Sequence, residues 1–279
     1  MAGASEHNVT IAFMNIGLME SAFQGAKSQH YLKVIKEQVD QLFRYHSVRI
    51  LCFVEAGQPR ISLIPDSKAR FEQAVRDGAS EHTRGSLVFL WADRNESLLT
   101  VHVADINMTK GDIIGGLYHH QSWRNAMPYY LQGPTSEDRI LILLSHQPSS
   151  KLNNYSMQCK ESVIRKLMVT GLEQRHWPDG SAPEHPRFII GGDLNMTASA
   201  LKMMALSFTD SASIALPKVR QPRSGDVAVG VNMHIESVES SVKNRDPGHD
   251  LVLVRFPWPS TSPAARRGDP LPRRPLQGI

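Results

Sequence analysis

The sequence predicts an α+β protein made of two packed mixed β-sheets with helices on their outer faces, and three observations carry that expectation. Apolar alternation at Val9–Asn15, helical spacing over Ser28–Tyr45 and a nearly all-apolar run at Val48–Val54 follow one another as the parts of a crossover unit do. The same order returns at Arg139–Leu144, Tyr155–Gln174 and Phe188–Ile190. Each half then closes in short apolar runs with no internal repeat, which suits two sheets packed face to face in one domain.

The elements follow in order. Val9–Asn15 alternates and ends in a polar residue, as a strand entering a loop does. Over Ser28–Tyr45 the residues Tyr31, Val34, Ile35, Val39, Leu42 and Phe43 fall on one helical face. Val48–Val54 reads as a buried strand ending at Glu55, Gly57–Pro65 as a loop and Ser67–Asp77 as a short helix. Ser86–Trp91 and Leu98–Ala104 read as adjacent strands. Asp105–Asp138 lacks clear periodicity, and long irregular stretches in compact domains are usually functional loops. Beyond Phe188–Ile190, a short helix is expected at Ser199–Leu206 and short strands at Ile235–Val238 and Leu251–Phe256. The domain is therefore expected to span residues 1–256. Pro257–Ile279 holds six prolines and the Arg266-Arg267 and Arg273-Arg274 pairs, a disordered Pro/Arg-rich tail by composition.

Composition narrows the function classes. The formal charge is +4, but the tail holds four arginines and one aspartate, so the body is near neutral and shows no broad polyanion-binding surface. Two cysteines, Cys52 and Cys159, form neither a disulfide framework nor a zinc spacing, and Cys52 reads as a small buried hydrophobe. The first ten residues hold no apolar core of a signal peptide, and no apolar run is long enough to span a membrane. A cytoplasmic or nuclear protein with no obvious protein partner is the expectation.

Polar residues of useful chemistry stand where apolar runs stop. In Arg187–Thr197 (R-F-I-I-G-G-D-L-N-M-T) two glycines break the strand, and Asp193 and Asn195 follow at a spacing of two. Alone, G-G-D-x-N is equally an Asx turn leaving a strand. Asn15, Glu55 and His146 also close buried strands, and His249 precedes one. Sheet ends bring such residues to one rim. There Glu55 and Asn15 can hold a hard divalent cation, Asp193 can position or deprotonate a water, Asn195 can hold its approach, and His249 can serve a phosphate oxygen. No phosphate-binding glycine loop, zinc-protease helix or nucleophile elbow competes.

With these residues the chain resembles the endonuclease/exonuclease/phosphatase superfamily over roughly Val9 to Phe256. Its opening motif is similar to A-F-M-N, its second to C-F-V-E, its central strand to L-S-H-Q-P-S-S, and its G-D-x-N motif is matched at Gly192–Asn195. The resemblance implies a DNase I-like four-layer α/β/β/α sandwich and Mg²⁺ (or Mn²⁺) held through Glu55 with Asn15. It implies His146 near the scissile phosphate, Asp193 aligning the attacking water and Asn195 stabilising the transition state. The family's final S-D-H reads Pro247-Gly248-His249 here, so the aspartate before the histidine is missing. Asp246, Asp250 and Glu236 are the candidate substitutes, the last on a faint match of His234–Val238 to the penultimate strand.

The implied function is metal-dependent phosphoester hydrolysis, endonuclease- or exonuclease-like on nucleic acid. The alternatives are a small-phosphoester or phosphoinositide phosphatase, and a catalytically degenerate binding or regulatory relative. Substrate recognition is expected in Asp105–Asp138. There Trp123, Tyr129 and Tyr130 could stack on bases, and His119, Arg124, Lys110 and Asn125 stand beside them.

Overall fold

The computed structural model describes residues 6–17, 26–56, 66–83, 85–92, 98–114, 126–135, 137–147, 157–173, 177, 179–181, 183–209, 211–217, 225–242 and 249–259. The first crossover unit forms as its pattern predicts: β1 (Glu6–Asn15), α1 (Ala26–His46) and β2 (Val48–Val54), with β1 and β2 parallel. The second repeats it with β7 (Arg139–His146), α3 (Met157–Glu173) and β8 (Phe188–Asp193), again parallel. Between them lie α2 (Ser67–Ala79), β3 (Leu87–Trp91), β4 (Leu98–Val103), β5 (Met108–Lys110) and β6 (Ala126–Gln132). After β8 come α4 (Ala198–Leu206), β9 (Ala212–Ala215), β10 (Asp226–Val231), β11 (Glu236–Ser237) and β12 (Val252–Pro259).

These strands make two six-stranded mixed sheets, ordered β11-β12-β1-β2-β4-β3 and β5-β6-β7-β8-β10-β9. The sheets pack face to face, β1 and β2 against β7 and β8, with α1 and α2 on one outer side and α3 and α4 on the other. This is the DNase I-like four-layer sandwich.

Strand β7 shows why its sequence is a continuous apolar run. Ile140, Ile142 and Leu144 join the core that holds Phe13 and Cys52, whereas Leu141 and Leu143 join the core beneath α3 with Ile164 and Leu167. A strand buried on both faces cannot alternate with polar residues. Gly191 lets the sheets approach: a Cβ there would lie 2.5 Å from the Phe13 ring. Gly192 adopts φ +124° beside the Ser145 carbonyl, where any other residue would be strained.

Expectations for the stretch between β4 and β7 are corrected. Asp105–Asp138 is not one irregular loop, because β5 and β6 lie within it. Tyr129 and Tyr130 are buried in β6, so neither is free to stack on a base. The Tyr129 hydroxyl donates to the Leu90 carbonyl at 3.2 Å and the Lys110 ammonium to the Trp91 carbonyl at 3.1 Å. Both thus satisfy main-chain acceptors of the edge strand β3. The remaining loop candidates, His119, Trp123, Arg124 and Asn125, lie outside the described residues, as do Asp246 and Gly248. Strand β12 also continues three residues beyond the expected domain end at 256: Pro257–Pro259 pair with Glu6–Asn8, and Trp258 is buried. Pro257 and Pro259 flank Trp258, and the ladder accommodates them because strand pairing rests on alternate residues.

Candidate active site

The strand ends bring six polar side chains to one rim of the sandwich, three from each sheet. In the second sheet the parallel register sets His146 beside Asp193, and the antiparallel register sets Asp226 opposite Asp193. Adjacent residues in register share a face, so all three point at the first sheet. In that sheet Asn15 closes β1, Glu55 follows the last residue of β2, and His249 leads into β12, which pairs with β1. Glu55 takes φ +56°, which turns the chain at the rim.

Among the described residues, three side-chain pairs within 3.3 Å join the sheets across the rim. His146 Nε2 lies 3.3 Å from Glu55 Oε1, Asn15 Nδ2 donates to Asp193 Oδ2 at 3.0 Å, and His249 Nδ1 lies 3.2 Å from Asp226 Oδ2. Each joins strands that stack directly: β2 on β7, β1 on β8, β12 on β10.

The hydrogen bonds set proton positions. The Gly17 N–H donates to Asn15 Oδ1 at 3.0 Å, which fixes that oxygen and leaves the amide nitrogen facing Asp193. Asn15 Nδ2 also lies 3.3 Å from His249 Nε2. An amide nitrogen only donates, so His249 Nε2 is the acceptor and Nδ1 carries the proton toward Asp226. Asp226, Nδ1–H, Nε2, Asn15 and Asp193 form one continuous chain. The Asp250 backbone N–H donates to the same Asp226 oxygen at 2.9 Å.

Asp226 is a carboxylate that meets the His249 ring from the other sheet. Of the candidates read from sequence, Asp246 lies outside the described residues, Glu236 is exposed on β11 and paired in the ladder with Arg255, and the Asp250 main chain meets Asp226. Asp226 was missed because D-V-A-V-G-V is built from small residues and lies 23 positions before His249. The signal available was the period-2 placement of Val227, Val229 and Val231 behind a glycine.

Burial, with the charge of Asp226 close by, pushes the Asp193 carboxyl up to about 7, against the opposing pull of His249 and Asn15. Asn195 sits beyond the strand at φ +47°, its N–H donating to Asp193 Oδ1 at 3.2 Å and its side-chain amide to the Gln147 carbonyl at 2.7 Å. That amide braces the turn. His146 is buried between Glu55 and Asp193, whereas the side chains of Glu55 and His249 keep 21% and 23% exposure and form the open part of the rim.

The donor set fits a hard divalent cation. Three carboxylates and a carboxamide oxygen crowd one rim, which is a hard oxygen donor set. Ligand atoms of Asp193, Asp226 and His249 lie within 4.8 Å of one another. A second acidic group, Asp40, Glu81 and His82, lies on α1 and after α2, where Arg44 already neutralises it at 3.3 Å and 3.7 Å.

No family model matches the sequence, and no curated protein matches it. Solved structures do match in fold. A TDP2 from D. rerio carrying 14 humanizing mutations aligns at 13% identity with TM-score 0.56, covering 91% of this chain and 99% of its own. An endonuclease/exonuclease/phosphatase family protein from Bacteroides thetaiotaomicron aligns at 11% identity with TM-score 0.57, over 91% and 96%. The human Nocturnin catalytic domain aligns at 9% identity with TM-score 0.53, over 92% and 98%. At these identities the likeness establishes the shared fold.

Proposed function

We propose that the chain is a divalent-metal-dependent phosphoester hydrolase, endonuclease- or exonuclease-like on nucleic acid. The observation that carries this reading is the row of three cross-sheet pairs, Glu55–His146, Asn15–Asp193 and Asp226–His249, at one rim. A nucleic-acid substrate draws support from the fold neighbours, one of which is a D. rerio TDP2 complexed with a single-strand DNA product.

Glu55 and Asn15 would hold Mg²⁺ or Mn²⁺, which would supply charge neutralisation at the phosphate and its leaving oxygen. The chain's own residues then divide the proton work. Asp193, whose carboxyl is raised by burial and by Asp226, is placed to take the proton of an attacking water. Asn15 spans Asp193 Oδ2 and His249 Nε2, so base and imidazole keep a fixed relation. Asp226 accepts from Nδ1–H and so supports an imidazolium; in that doubly protonated form, with Nε2 released from the Asn15 amide, His249 would donate to a phosphate oxygen. His146 holds the Glu55 carboxylate in place from beneath.

The Asp226–His249 pair counts against a decayed site, because the partner absent at Gly248 is supplied from β10. The test is turnover of plasmid DNA, single-stranded DNA, short RNA and inositol polyphosphates with Mg²⁺ or Mn²⁺. Hydrolysis of a nucleic acid that EDTA abolishes is the expected result. Hydrolysis confined to inositol phosphates would make the protein a small-phosphoester phosphatase, and binding without turnover would make it a scaffold.

A further inference from the structure

Lys160 is a buried cation that the proposed chemistry does not use. It lies in the first turn of α3 and is 2% exposed, and its ammonium donates to the Asn195 carbonyl at 2.8 Å. Stability alone does not account for it. A buried ammonium is costly unless well paired, and a cation in the first turn of a helix opposes the helix dipole. An apolar side chain of the same length would serve the core of Ile164 and Leu167 better.

The contact it makes is specific. Asn195 is the one residue of the Asp193–Leu194–Asn195 turn in the left-handed region. Its Cα stands 2.2 Å from where a Cβ on Gly225 would lie, so the turn is pressed against the residue before Asp226. The Leu194 N–H donates to the Gly225 carbonyl at 3.1 Å and the Gln147 N–H to the Asp193 carbonyl at 2.8 Å. The turn therefore has His146's neighbour on one side and Asp226's neighbour on the other, and Lys160 holds its far end from beneath. Ser145 and Gln147 are buried, and their side-chain atoms Ser145 Oγ, Gln147 Nε2 and Gln147 Oε1 meet no hydrogen-bond partner among the described residues. Neither side chain braces the turn in place of Lys160.

We propose that Lys160 is a positioning residue: its ammonium clamps the Asn195 carbonyl and so holds the Asp193–Asn195 turn in the geometry that aims Asp193 at Asn15 and His146. The inference rests on the function proposed above for that site, but its test has a readout independent of it. Lys160→Met keeps the length and apolar stem and removes the donor. The measurements are kcat and KM on the nucleic-acid substrate, Tm, and amide hydrogen exchange at Leu194 and Asn195.

The expected result is kcat lower by about ten- to a hundredfold, the scale of a small misplacement of reacting groups. KM should stay within about twofold, Tm should not fall, and exchange at Leu194 and Asn195 should quicken. If the methionine variant does not fold, Lys160→Gln, too short to reach with the same group, is expected to give the same split. A fall in Tm with kcat and exchange at 194–195 unchanged would overturn the proposal, since Lys160 would then only support packing. If the wild type has no turnover, that result counts against the proposed function alone. Exchange then decides on Lys160: quickened at 194–195 supports the clamp, and unchanged refutes it.

Discussion

Asp226 and His249 are 23 residues apart in sequence and 3.2 Å apart in space, and that gap explains what sequence reading reached and missed. Asn15, Glu55, His146 and Asp193 were legible because each stands where an apolar run stops, and His249 because it stands just before one starts. A partner supplied across two sheets leaves no such mark, whereas Asp246 and Asp250 stand beside His249 in the sequence. Asp226→Asn, which weakens the hold on Nδ1–H, is expected to lower kcat by roughly 10²-fold, within the usual contribution of proton-transfer catalysis. Glu236→Gln, on exposed β11, should change it little, and steady-state kinetics of the two variants check both statements. His102 sets a second, separate prediction. It is buried, with Nδ1 2.9 Å from the Val103 carbonyl, and burial pushes its imidazole below the ordinary 6.5. Below that pH the unfolded chain binds a proton that the folded chain resists, so His102 takes stability away as pH falls through this range and has no effect well above it. The test is the difference between Tm–pH curves of wild type and His102→Gln. Asp193 is shifted the opposite way and affects both curves alike. Identical slopes from pH 7 to 5 would refute the assignment.

At the level of elements, both crossover units were legible because a buried parallel strand is a continuous apolar run and a surface helix carries a clear stripe. Strand β6 was not, since Pro128, Tyr129 and Tyr130 break any simple period, and β10 was hidden by its small residues. The G-G pair carried more than a turn signal. Gly191 makes room for Phe13 between the sheets, so Gly191→Ala is expected to cost about 1–3 kcal/mol, the usual range for overpacking a core. Phe13→Leu in the same chain should return part of that loss, and urea unfolding of the single and double variants measures it. The final strand supplies another test. Ending the chain after Phe256 removes buried Trp258 and the pairing of Pro257–Pro259, and should cost on the order of 3–5 kcal/mol, as truncating a buried aromatic does. Ending it after Pro259 should leave Tm unchanged. Equal Tm for the two truncations would show that the last three strand residues add nothing.

For the molecule as a whole, repetition of strand, helix and strand in both halves foretold two facing sheets. The rim site follows from that symmetry, because β1 with β2 and β7 with β8 both end at the same edge of the sandwich. What could not be read was how the sheets stack, and hence that each rim residue of one sheet meets a chosen partner from the other. The row of pairs concentrates three carboxylates against two imidazoles and one amide, an arrangement suited to moving protons around a phosphate and a hard cation. Its central member is Asp193, held by Asn15 and pushed up to about 7 by burial and by Asp226. The most direct measurement is therefore the rate of nucleic-acid hydrolysis by wild type and Asp193→Asn, purified in parallel and titrated with Mg²⁺ and Mn²⁺ after EDTA. The site as described gives a metal-dependent wild-type rate that falls by roughly 10²–10⁴ in Asp193→Asn, with folding intact. Equal rates in the two proteins, or a wild-type rate indifferent to EDTA, would contradict it.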